Sequence, residues 1–142
     1  MRLSVFSGVA IAAMLAAGSL SAEILHFTAK LDGASETPGK STAGKGSADV
    51  TLDTQSRMLD WKVSYSGLSG PATMAHFHGP AAPGVAAGVA VPLAAPLASP
   101  INGMATLTDG QIGDLRAGLW YINIHTAQNP GGEIRGQLLK AK

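Results

Sequence analysis

From Leu59 to Ser66 apolar and polar residues alternate without a break: Leu59, Trp61, Val63 and Tyr65 against Asp60, Lys62, Ser64 and Ser66. A period of two is the mark of a strand buried on one face. Ala48, Val50 and Leu52 alternate with Asp49, Thr51 and Asp53 in the same way, and the turn at Thr54 to Arg57 predicts that the two runs form an antiparallel hairpin. Ile24 to Leu31 also reads as a strand, closing at Asp32-Gly33 before a polar loop from Ala34 to Gly46. Two further strands carry histidine. In Met74 to His78, Ala75 and Phe77 face one way and Met74, His76 and His78 the other; in Trp120 to Thr126, Trp120, Ile122 and Ile124 oppose Tyr121, Asn123 and His125. Gly79 to Pro100 holds five of the eight prolines, which allows Val89, Val91 and Leu93 to form only an edge strand within a long connection. Gly103 to Leu107 predicts another short strand. Thr108-Asp109 starts a helix of one or two turns that buries Ile112 and Leu115 and stops at Gly118. After the turn at Asn129 to Gly132, Glu133 to Leu138 reads as the last strand. Many short strands and one short helix predict an all-β fold, an antiparallel β-sandwich or barrel.

The first residues stand outside this pattern. Arg2 precedes an apolar, Ala-rich run from Val5 to Leu20, and Ser19 to Ala22 offers small residues for a signal peptidase. The expected organisation is a signal peptide over residues 1–22 and one domain over 23–142, placing the protein in the periplasm or outside the cell with no membrane attachment after cleavage. Removing Arg2 with that segment leaves nine basic and nine acidic residues, and with so few aromatics no nucleic-acid partner is expected. The chain has no cysteine, which excludes disulfides, a thiolate metal site and a thiol nucleophile.

The histidines carry the candidate chemistry. His76 and His78 share a strand face about 7 Å apart along it, and His125 joins them if the two histidine strands are neighbours. Three neutral imidazoles suit copper, with zinc as second choice. Met74 lies on the same face and His26 near the start of the domain, and each is a candidate extra ligand. Asn123 could fix an imidazole tautomer from behind. Glu133 and Arg135 share a face of the last strand and could orient a ligand, or form a structural ion pair or support for the preceding turn.

Leu31-Asp32-Gly33 with Glu36-Thr37-Pro38, Ala75 to Pro80, Ala117 to Thr126 and Asn129 to Leu138 together resemble the CHRD domain, named for its repeats in chordin and also found alone in small exported bacterial proteins. The resemblance implies a Greek-key β-sandwich, immunoglobulin-like or similar to the copper/zinc superoxide dismutase barrel. Its His-x-His and His-Thr strands are matched by His76, His78 and His125. It implies no settled activity, and nothing in the chain resembles the cysteine-rich modules of chordin. A dismutase needs a bridging histidine and more ligands than four histidines supply, and no hydrolase elbow or phosphate loop occurs, so no catalytic residue is assigned. The expected function is copper binding or delivery outside the cytoplasm. The alternative is a metal-free adhesion or protein-interaction module with an extracytoplasmic protein partner, and a redox enzyme ranks third; a second subunit could also complete the three-histidine site in a homodimer.

Overall fold

The computed structural model describes residues 21–142, so the signal read over residues 1–22 lies outside the described residues but for Ser21 and Ala22. Strand β1 (Ile24–Asp32) turns Leu25, Phe27, Ala29 and Leu31 inward and leaves the intervening side chains exposed. It pairs antiparallel with β2 (Lys45–Asp53), which forms the expected hairpin with β3 (Met58–Ser66). Strand β4 (Ala72–His78), the edge strand β5 (Val89–Pro92), β6 (Ile101–Thr106), helix α1 (Asp109–Arg116), β7 (Tyr121–Thr126), β8 (Ile134–Gln137) and β9 (Leu139–Lys140) follow.

The strands lie in the order β5-β4-β7-β8-β1-β2-β3-β6, with β9 added beside β1. The chain therefore passes between the two halves of the sheet from β3 to β4, from β5 to β6 and again from β6 to β7, a Greek-key path. The sheet is nearly closed into a barrel, and side chains of β3 and α1 reach across to β4, β5 and the segment that follows β5. The Tyr65 hydroxyl donates to Leu97 O at 2.6 Å, Gln111 Nε2 donates to Ala90 O at 3.3 Å, and Trp61 meets Phe77 edge to face at 5.3 Å. Helix α1 starts where the sequence placed it. Thr108 and Gln111 form a reciprocal capping box, Leu115 is buried, and Gly118 ends the turn at φ 74°, a left-handed angle that suits glycine.

Two features depart from the sequence reading. The final strand is interrupted at Leu138: Arg135 of β8 already pairs with Asp32 of β1, and Leu139 and Lys140 continue along β1 opposite Thr28 and Phe27. Both are exposed and too few to show a period, so nothing in the pattern marks them. The second departure concerns β7, all six residues of which are buried. Ile122 and Ile124 enter the core, but Tyr121, Asn123 and His125 on the opposite face are covered as well. The covering comes from the 79–88 segment, whose Ala87 bonds the Tyr121 hydroxyl, and from the loop that carries Glu36. Most residues of this segment stay exposed, and it is held on the sheet through its carbonyls: Ala81 O accepts from Gln137, Val85 O from Arg135 and Ala87 O from His78.

The β4–β7 pair sets which residues share that face. Ala72 is opposite Thr126 and Met74 is opposite His125, so β4 carries one extra residue at Thr73, a β-bulge. Beyond it Met74, His76 and His78 align with His125, Asn123 and Tyr121. Beneath them Phe77 is fully buried between Trp61 and Trp120. Phe77→Ala is expected to cost roughly 3–5 kcal/mol through lost transfer energy and a residual cavity, measured as a fall in urea midpoint with an unchanged slope.

Candidate metal centre

Alternation on two paired strands brings His76, His78 and His125 together, with one nitrogen from each ring within 4.8 Å of the others. His78 and His125 are buried, and His76 is partly open to solvent. The ring nitrogens are not equivalent. His78 Nδ1 lies 3.0 Å from Ala87 O, and His125 Nδ1 lies 2.8 Å from Pro130 O. A carbonyl only accepts, so each Nδ1 carries a proton and donates it. The Nε2 atoms of the neutral rings are then bare lone pairs. Both point at one atom, Asn123 Oδ1, at 3.0 Å each, and His76 Nδ1 lies 3.2 Å from His125 Nε2.

Burial pushes the pKa values of His76 and His78 below the ordinary imidazole range. For His76 the neighbouring His125 and His78 push the same way. For His78 the Ala87 carbonyl and Asn123 pull back against burial. His76 and His78 thus favour the neutral ring, the state in which imidazole binds a cation.

Behind the cluster the side chains are stacked. His78 lies parallel to Tyr121, 4.8 Å between centroids and 3° between planes. On the side of Tyr121 facing β8, the Arg135 guanidinium stands 3.5 Å from the ring centroid. Arg135 is fully buried and donates to Thr37 Oγ1 at 3.1 Å and to Val85 O at 2.8 Å, which ties the Glu36-Thr37 loop and the 79–88 segment to the stack. Arg135 therefore supports a cluster histidine through Tyr121.

Glu133 does not pair with Arg135. Its Oε1 accepts from the Thr42 hydroxyl at 2.6 Å and the Ser69 N–H at 2.9 Å, and its Oε2 accepts from the hydroxyls of Ser69 and Thr126, each at 2.6 Å. The residue precedes β8 and turns toward hydroxyls of three converging segments, so it joins the loop before β2, the approach to β4 and the end of β7. It touches no histidine of the cluster and acts as structural support.

Met74 sits directly across from His125 and is 44% exposed, at the open side of the cluster. His26 is exposed on β1, with Thr51 Oγ1 3.5 Å from its Nδ1, and β8 and β7 separate its strand from β4, so it lies outside the cluster. One residue at the site was missed by sequence reasoning. Glu36 is buried beside Asn123, and its only signal was membership of the Glu-Thr-Pro stretch, which by itself looks like a polar loop. Gly132 makes room for it: at φ 123° it brings backbone where any Cβ would stand 2.4 Å from Glu36 Oε1 and 2.8 Å from Asn123 Nδ2.

Fold and site together define a nearly closed antiparallel β-barrel with a histidine cluster buried on its outer face. The family model described as CHRD domain matches residues 27–138, nearly the whole domain, and the chain belongs to that family. No curated protein and no solved structure gave a match.

Glu133 supplies a pH prediction. Burial raises the pKa of its carboxyl, but the hydroxyls of Ser69, Thr126 and Thr42 and the Ser69 N–H outweigh burial and bring it from 4.5 to about 2. A carboxyl with a depressed folded pKa stabilises the fold fully above its unfolded value, and the contribution is lost as pH falls through the folded one. Unfolding free energy is expected to drop by about 2–3 kcal/mol between pH 5 and pH 2 from this group. In Glu133→Gln that share of the acid slope disappears, which denaturant titrations at a series of pH values would read.

Proposed function

We propose that the protein binds one copper ion at this cluster, as an exported copper-binding or copper-delivery protein. The observation that carries the reading is the convergence of bare lone pairs. With their Nδ1 protons committed to Ala87 O and Pro130 O, His78 and His125 direct two Nε2 acceptors at a third acceptor, Asn123 Oδ1, and neither contact with that oxygen holds a proton. Acceptors gathered at 3.0 Å repel one another in a poorly solvated site, and a cation between them turns that repulsion into attraction. Three of the contacts, at 3.0 to 3.2 Å, come close to the ligand separation of about 3.3 Å in a tetrahedral centre with bonds near 2.0 Å, and the ring nitrogens, within 4.8 Å of one another, would draw together on binding.

The ligand set of this reading is His76 Nδ1, His78 Nε2, His125 Nε2 and Asn123 Oδ1, all uncharged. It extends the sequence expectation, which kept Asn123 behind the ligands. Neutral nitrogen donors bind copper ahead of zinc, and the thioether of Met74 at the open side suits Cu(I). The apolar run after Arg2 supports export. The reading assigns binding and no reaction.

Tag-free mature protein is expected to take up Cu(II) one to one, and His125→Ala to weaken binding more than tenfold. Affinity is expected to hold to a pH below the ordinary imidazole range, because His76 and His78 resist protonation, and then to fall as protons compete. Calorimetric titration across pH measures both. Absence of binding by the wild-type protein to Cu(II), Cu(I) and Zn(II) would leave the metal-free interaction module as the function.

A further inference from the structure

The reading above requires that Asn123 present its oxygen, and not its NH2 group, to the imidazoles. An amide has two ends of opposite character, and nothing in the histidine pair alone chooses between them. Turned the other way, Nδ2 would donate one N–H to each bare Nε2 and fill the site with hydrogen bonds. The choice is made at the far end of the amide. There Asn123 Nδ2 and Glu36 Oε1 converge on the same spot above Gly132. Glu36 is 8% exposed, and its Oε1 has no hydrogen-bond partner at bonding distance.

We propose that Glu36 is the positioning residue of the site: its carboxylate faces the Nδ2 end of Asn123 and thereby holds Oδ1 toward His78 and His125. The inference rests on the copper-binding reading. An ionised carboxylate only accepts, so it attracts the NH2 end and repels the carbonyl end of the amide. A flipped amide would set Oδ1 against the Glu36 carboxylate in a buried place, where two acceptors facing each other without a donor are costly. Burial is the largest influence on the Glu36 carboxyl and raises its pKa; the Thr37 N–H, the Arg135 charge and the Asn123 amide offset part of that rise. Arg135 also anchors the loop of Glu36 through Thr37. Glycine at position 132 is what lets carboxylate and amide approach, since a side chain there would occupy the space of both.

The test is a double-mutant cycle read by Cu(II) affinity on the full mature chain. Glu36→Gln keeps the shape but replaces an acceptor-only group with one that also donates, and it is expected to weaken binding about tenfold, the scale of an outer partner of a metal ligand. Asn123→Ala weakens binding by removing the oxygen. In the Asn123→Ala background Glu36→Gln is expected to have no further effect, because the amide it orients is gone. An equal loss in both backgrounds, or no loss in either, would overturn the assignment. A second readout needs no metal. In 15N spectra of the metal-free protein, the Nε2 resonance of His78, whose one partner is the Asn123 amide, is that of a free lone pair in the wild type and of a hydrogen-bonded acceptor in Glu36→Gln. Identical spectra would overturn the proposal even if copper binds. Wild-type protein that shows these spectra but takes up no copper would sink the function and leave the positioning intact. Where Glu36→Gln fails to fold, Glu36→Asp, which keeps the charge and withdraws it by one methylene, must show a smaller loss of the same kind.

Discussion

The pairing of β4 with β7 is the constraint on which the molecule depends. A strand has two faces, and a slip of one residue exchanges them. In the observed register Ala75 and Phe77 lie beside Ile124 and Ile122 in the core, while His76 and His78 lie beside Asn123 and Tyr121 outside it. A one-residue slip would pair the imidazoles with isoleucines and drive either polar rings into the core or apolar side chains out of it. The bulge at Thr73 reconciles this register with the pairing of Ala72 and Thr126 at the strand entrance. Core burial and site assembly are thus one event.

The outer face of β4, β7 and β8 is an unusual second interior. It buries Asn123, His125, His78 and Arg135, groups that are expensive to remove from water without partners. The partners come from backbone as much as from side chains: Ala87 and Pro130 take the ring protons, and Val85 takes an Arg135 proton. These carbonyls belong to connections, so the loops are structural components of the site. Glu133 does the corresponding work at the edge, where one carboxylate gathers hydroxyls from three separate segments. A polar network of this kind favours one arrangement strongly, because a half-satisfied version leaves charge or lone pairs stranded.

Much of the barrel was legible in the chain because its inner face is apolar at every second residue. The β2–β3 hairpin, the capped helix and the edge position of β5 follow from alternation, capping residues and proline. The gathering of His76, His78 and His125 was legible too, since alternation fixes a face and only adjacency of the two strands had to be supplied. What escaped were contacts that periodicity does not encode. The burial of Tyr121, Asn123 and His125 depends on a loop folding back, and alternation reports only that they oppose the core. The separation of Glu133 from Arg135 depends on where β8 begins, because same-face residues on a strand point together only inside the strand. Glu36 lies in a loop with no period at all.

The four stretches that carried the family resemblance are those that meet on this outer face. Leu31 to Pro38 brings Glu36 and Thr37, Ala75 to Pro80 brings His76 and His78, and Ala117 to Thr126 brings Tyr121, Asn123 and His125. Asn129 to Leu138 brings the Pro130 carbonyl, Gly132, Glu133 and Arg135. Core strands β2 and β3 contribute nothing to the pattern, although they supply much of the buried apolar surface. Many apolar residues satisfy a core position, whereas an imidazole whose proton meets one carbonyl and whose lone pair meets one amide admits few replacements. A signature concentrated on this face is therefore what a barrel would carry if its inside were interchangeable and its histidine network were not.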